Sequence, residues 1–349
     1  MKAAARILGG WRGLGVFWAA IVLTCGAVGA VLQLSGPPPT GAPAAAPHVE
    51  AHQPATPVAP AATPHAEPAP AAAVAPPPPP APRVAAPDSA LMEPSQYPLA
   101  SLPKVGADGR MARVVYAGPV PAGPPGAPRV ALLLSGFGLS DRDSRAALAQ
   151  LPGAVSLAVS AYAEGVEGLL EEARRGGHEL LASIPMEPQA YPQDDEGPRS
   201  LRTGLSPADN ATNLAWALSR TAGAVGATGA SDNGMRGERF AEVAGAFDPA
   251  VDEIGRRGLL YIDPRPGRAP NRPGLKARAV DVVLDDRIGR AEIDAKLSEL
   301  ERVARERGSA IGLAGPLRPA TIERIAAWAR TLDEKGVTMV PVSAMVPAK

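Results

Sequence analysis

The chain of 349 residues carries 35 basic and 35 acidic side chains, 41 prolines, four histidines and one cysteine. Zero net charge argues against nucleic acid as a partner, because that affinity comes from clustered Lys and Arg neutralising phosphates. One cysteine excludes an internal disulfide and a Cys-rich zinc site. Of the prolines, 26 lie between residues 36 and 128, which leaves one folded domain of roughly 220 residues, large enough to bury most of its surface. His48, His52 and His65 fall in the proline-rich part, so His178 alone is left for that domain.

In chain order, residues 1–35 come first. Residues 13–32 hold no charged side chain; Lys2, Arg6 and Arg12 precede them and the next charge is Glu50. About 20 apolar positions suffice to cross a bilayer as a helix, and the basic flank predicts a cytoplasmic N-terminus with the rest of the chain outside. A cleaved signal peptide is the alternative, with Val28-Gly29-Ala30 as a poor small-residue site. Cys25 reads as a membrane-embedded thiol, since Thr24 and the apolar chain after it do not suit lipidation. Residues 36–94, mostly Pro and Ala with five prolines in a row at 76–80, predict a disordered, stiff spacer. Residues 95–128 read as an extended lead-in and 129–349 as the domain.

Continuous apolar runs, the pattern of strands buried on both faces, occur at 130–134, 155–159, 179–184, 224–228, 258–262, 279–284, 310–313 and 337–340. Ser135-Gly136-Phe137-Gly138 is expected to break the first. Between the runs lie helical patterns. Residues 291–307 place Ile293, Leu297, Leu300 and Ala304 on one face, with Glu292/Lys296 and Glu301/Arg305 spaced for ion pairs and Gly308 as the stop. Ser206-Pro207-Ala208-Asp209 opens a second helix, and Ile322, Ile325, Ala329 and Leu332 line a third before Gly336. Strands alternating with helices predict an α/β fold of parallel βαβ units; with seven or eight repeats and no glycine-rich phosphate loop, an irregular (β/α) barrel is preferred to an open doubly wound sheet. Chemistry then sits at the carboxyl ends of the strands.

Those ends carry a series of motifs: Pro185-Met186-Glu187-Pro188, Asp232-Asn233-Gly234-Met235, Asp263 with Arg265, Asp281-Val282-Val283-Leu284-Asp285 and Gly315-Pro316. Leu102-Pro103-Lys104-Val105-Gly106, Asp108-Gly109-Arg110, Tyr116, Leu151-Pro152-Gly153 and Gly177-His178-Glu179 complete the set. In this order the chain, over about residues 95–345, resembles the divergent polysaccharide deacetylase family, a branch of the metal-dependent carbohydrate deacetylases with a distorted β/α barrel. The resemblance implies a divalent metal, zinc above all, held by a carboxylate and histidines, with a carboxylate as base.

Carried over residue by residue, that site is degenerate. The aspartate pair that ends the family's first strand is Ser135 and Gly136; the histidine two residues before the Pro of Pro-Met-Glu-Pro is Ser183; the histidines expected before Met235 and Pro316 are Gly234 and Gly315. His178 is the only histidine from residue 66 onward and starts a strand, so it reads as a structural residue satisfied by a backbone group. No metal and no cofactor is therefore expected, and no catalytic residue is assigned. The candidates for ligand binding are Glu187, Asp263, Arg265, Asp285 and Asp286; the competing reading is that these cap helices and pair with arginines as scaffold. Trp216 and Trp328, the domain's tryptophans, are expected on apolar helix faces.

Three functions stay open: an envelope binding or scaffolding module that is a pseudoenzyme, an active hydrolase of a cell-envelope polysaccharide with an altered site, and a protein interaction module. Partners are the inner membrane through the N-terminal helix, then cell-wall glycan or an envelope protein. The resemblance places the domain in the periplasm of a bacterium, tethered to the inner membrane by a single span.

Overall fold

The computed structural model describes Trp18 and residues 83–96, 101–232, 234–287 and 289–346. Apart from Trp18, the expected membrane helix and the Pro/Ala-rich stretch to residue 82 lie outside the described residues. Among the described residues no helix is long and apolar enough to cross a membrane. All the elements below belong to the unit Ala75–Lys349.

The folded part starts earlier than a spacer ending at residue 94 allows. Val84 and Leu91 are buried in the same core as Leu102 and Tyr116, and the Val84 N–H donates to the Arg174 carbonyl. Met92–Pro94 (β1) pairs antiparallel with Ser101–Pro103 (β2), followed by the short helix Ala112–Val115 (α1). Composition misled here because two well-placed apolar side chains anchor a segment that otherwise looks like tether.

The domain proper is a parallel-strand half-barrel flanked by helices. Its strands are Arg129–Phe137 (β3), Ser156–Val159 (β4), Leu180–Ser183 (β5), Gly226–Thr228 (β6), Leu260–Asp263 (β7), Lys276–Ala279 (β8), Val282–Val283 (β9), Ser309–Ala314 (β10) and Thr338–Met339 (β11). The hydrogen-bonded order is β8-β7-β6-β5-β4-β3-β10-β9, with β11 beside the start of β3. Helices Asp141–Gln150 (α2), Glu167–Arg175 (α3), Pro207–Ser219 (α4), Glu238–Glu242 (α5), Ala244–Arg256 (α6), Arg290–Arg307 (α7) and Pro319–Ala329 (α8) fill the connections. No helix separates β7, β8 and β9, so the βα alternation lapses there. β8 bonds to β7 and β9 to β10, and Val280 and Asp281 between them carry the chain from one end of the sheet to the other.

β3 separates two cores, as a strand buried on both faces must. Ala131 and Leu133 join the inner core with Leu181, Ile262 and Ile311; Val130, Leu132 and Leu134 join the outer one with Leu297 and Leu300 of α7 and Ile322 and Ile325 of α8. β3 does not break at Ser135. It runs to Phe137 with a register shift after Leu134 and Gly136 at φ +82°, a bulge of the kind that re-aims side chains beside functional sites.

Helix α4 starts as its sequence dictates, with Pro207 at its first position and the Ser206 Oγ accepting from the Asp209 N–H at 3.1 Å. Helix α7 buries the expected Ile293, Leu297, Leu300 and Ala304 and stops at Gly308, φ +79°. Its ion pairs differ from those its spacing suggests. Lys296 pairs with Glu299 at 2.7 Å on the exposed face, whereas Glu301, where α7 packs on α8 and the turn beyond it, pairs with Lys335 and accepts from the Trp328 Nε1 at 2.6 Å.

Candidate functional site

At the carboxyl ends of the strands a cavity of about 160 Å³ is lined by Ser135, Gly234, Arg236, Asp285, Asp286, Gly315 and Arg318. Three of the positions where the resemblance places catalytic groups thus border one space. The residues do not fit a zinc ion. Ser135 donates its hydroxyl to the Ser231 carbonyl at 2.9 Å; Ser183 is buried with its hydroxyl unpartnered; Gly136, Gly234 and Gly315 offer no side chain. Zinc takes Cys, His or carboxylate ligands, and among the described residues no group of three or more His, Cys, Asp or Glu is placed to hold a metal. The replacements are also mutually dependent: Gly315 sits at φ +149°, and a Cβ there would overlap the Ser135 Oγ.

The candidates at the strand ends divide into two sets. Asp285 and Asp286 reach the cavity. The Asp285 carboxyl is buried, accepts from the Gly315 N–H at 3.1 Å and from the Thr321 hydroxyl at 3.2 Å, and burial pushes its pKa up to about 6. Asp286 is exposed and pairs with Arg236 at 2.9 Å. Arg318, the N-cap residue of α8, completes the wall; its carbonyl accepts from the Ile322 N–H, and among the described residues its side chain makes no ion pair or hydrogen bond but lies within the field of Asp285.

Glu187, Asp263 and Arg265 do not reach the cavity. Asp263, fully buried at the end of β7, is held by Arg265 through Nη2 at 2.8 Å and Nε at 3.0 Å, and the guanidinium lies 5.4 Å over the Phe247 ring. Glu187 accepts from the Thr203 N–H and hydroxyl at 2.6 and 2.7 Å and pairs with Arg239. All three are engaged by hydrogen bonds and ion pairs within the fold.

His178 sits at the other end of the barrel, buried, with Nδ1 2.8 Å from the Val155 carbonyl; burial holds its pKa below the ordinary imidazole range. Trp328 is buried on α8, whereas Trp216 is only half-buried, 5.0 Å from the Tyr162 ring.

Two carboxylates escaped the sequence reading as candidates. Glu196, in the loop after β5, is 6% exposed with Oε1 unpartnered, and burial with the neighbouring Asp232 pushes its pKa up to about 7. Asp232, in the loop after β6, accepts from the Ser160 hydroxyl at 2.5 Å through Oδ2 and leaves Oδ1 unpartnered. Asp232 opens the Asp232-Asn233-Gly234-Met235 motif without being singled out as a candidate, and Glu196, 36 residues earlier in another loop, lies in none of the motifs.

The raised carboxyl of Asp285 sets a pH dependence. The folded state keeps this proton to about pH 6 while the unfolded chain releases it near 3.8, so between those values the native state binds more protons and stability falls as pH rises. Urea unfolding in chelator-containing buffer should lose on the order of 3 kcal/mol from this group across that window, with no further change above it. Asp285→Asn should remove that part of the slope and leave the part due to Glu196.

The model of the divergent polysaccharide deacetylase family matches residues 132–346. The uncharacterised protein YibQ of Escherichia coli K12 is 24% identical over 224 residues, 62% of this chain and 67% of YibQ. The crystal structure of the uncharacterised protein ATU2773 from Agrobacterium tumefaciens C58 is 34% identical with a TM-score of 0.65, covering 71% of this chain and all of that one.

Proposed function

Because the chain belongs to the divergent polysaccharide deacetylase family, we propose that it is a membrane-anchored envelope protein whose domain has lost the family's metal and binds cell-wall glycan as a scaffolding module. The observation that carries this reading is the cavity itself. Where a metal and its histidines are expected, it presents hydroxyl, guanidinium and carboxylate groups: Ser135, the Arg236–Asp286 pair, Asp285 and Arg318. Planar guanidinium and carboxylate groups make directional, charge-assisted hydrogen bonds to hydroxylated ligands. The uncharged segment at residues 13–32 and the proline-rich stretch after it supply the tether, with the domain on the periplasmic side of a bacterial inner membrane.

Cosedimentation of the full-length chain with insoluble cell-wall glycan tests this. The wild type should pellet with the glycan, and Arg318→Ala should weaken binding about tenfold, the effect of losing roughly 1.4 kcal/mol of charge-assisted bonding. A wild-type chain that stays in the supernatant would contradict it. The reading as a hydrolase with an altered site draws on Asp285, whose carboxyl near pH 6 lies in the range of a general acid.

A further inference from the structure

Among the described residues, five polar side chains wall the cavity of about 160 Å³ at the strand ends, and four of them are spent within the fold. Ser135 donates its hydroxyl to the Ser231 carbonyl at 2.9 Å. Asp285 accepts from the Gly315 N–H at 3.1 Å and the Thr321 hydroxyl at 3.2 Å, and Arg236 pairs with Asp286 at 2.9 Å and with Glu238 at 3.5 Å. The fifth is Arg318, whose side chain lies in the field of Asp285 but makes no hydrogen bond or ion pair among the described residues. A guanidinium is charged at every physiological pH and carries donors only, so an anionic acceptor is what the cavity lacks. Burial keeps Asp285 protonated to about pH 6, and on the acid side of that value the Arg318 charge has no carboxylate of the cavity wall to compensate it.

Resting on the reading that this cavity takes glycan, we infer that Arg318 receives the carboxylate of an acidic sugar, so that the ligand is a glycan carrying uronic-acid-type residues. The planar fork of a guanidinium matches a carboxylate through two parallel N–H···O bonds. A phosphate group suits the cavity less well, because it would bring up to two negative charges to one free cation beside Asp285 and Asp286. Size selects in the same direction: pockets that enclose a drug-sized ligand start at roughly 300 Å³, so this cavity has room for a single sugar unit and its charged group. Asp286 is exposed at the rim and the Ser135 oxygen keeps a lone pair, which leaves acceptors for the ring hydroxyls of that unit.

Calorimetric titration of the full-length chain just below pH 6 with trigalacturonate and, separately, with its methyl ester tests the inference, since the ester keeps the ring hydroxyls and loses the charge. The acid should bind about tenfold or more tightly than the ester, and added salt should narrow the gap by screening. Arg318→Ala should abolish the preference, and Arg318→Lys, which keeps a point charge without the fork, should retain part of it and serves as the second variant should the first fail to fold. Equal affinity for acid and ester, or a preference for the acid that survives Arg318→Ala, would overturn the inference and leave glycan binding standing. Failure of both probes to bind would also overturn it, and cosedimentation with insoluble glycan then shows whether the broader reading falls with it.

Discussion

Glu179→Ala is expected to lower stability by about 3–5 kcal/mol, read as a fall in Tm of about 6–20 °C for a domain of this size. Glu179 is fully buried at the start of β5, the end of the barrel away from the cavity. Its Oε1 accepts from the Ser156 hydroxyl at 2.8 Å and the Ser343 N–H at 3.0 Å; its Oε2 accepts from the Gly118 N–H at 2.8 Å and the Ser343 hydroxyl at 2.6 Å. One carboxylate thereby ties the lead-in, the start of β4 and the turn Val342–Met345 to β5. Removing it strands four donors, each worth about 1–3 kcal/mol if left buried and unpaired. Glu179→Gln keeps one acceptor and turns the other into a donor that faces donors, so it should fall between wild type and Ala. Thermal unfolding followed by circular dichroism checks the order.

The second large effect concerns Asp263 and Arg265, two of the candidates for ligand binding. Arg265→Ala leaves Asp263 buried without its counter-charge, which costs about 3–5 kcal/mol. Replacing both partners with apolar residues, as in Asp263→Leu with Arg265→Leu, should recover part of that loss, because the uncompensated charge is gone. A scaffold role predicts this recovery while glycan binding, measured on the folded fraction, stays at the wild-type level. A ligand role predicts that binding disappears in both variants. Chemical denaturation and cosedimentation on the same samples separate the two.

Much of the sheet was legible because strands buried on both faces must be continuous apolar runs, and 130–134, 179–184 and 310–313 sit inside or around β3, β5 and β10. Helix α7 was legible from its 3.6-residue period and its glycine stop. β8 was not: Lys-Ala-Arg-Ala at 276–279 lies at the end of the strand order and is largely half-exposed, so no run betrays it. The early start of the fold was hidden because Val84 and Leu91 are isolated apolar residues in a proline-rich context, and burial depends on what they meet, not on their neighbours in sequence.

At the site, sequence reached the vacated positions and Asp285 and Asp286 but not Arg236 and Arg318, which enter the cavity through side-chain direction from the loops before α5 and α8. It also grouped Glu187 and Asp263 with Asp285, since all follow strand ends. Only the geometry separates those that face the cavity from those closed by Thr203 and Arg265. Glu196 and Asp232 could be joined by no spacing rule.

We propose that the family fold persists here without its metal-dependent chemistry. Acetate release from an acetylated cell-wall oligosaccharide, followed with the full-length chain in the presence of added zinc, tests it most directly. No acetate above the enzyme-free blank is the expected result, and acetate release that a chelator abolishes would contradict the claim.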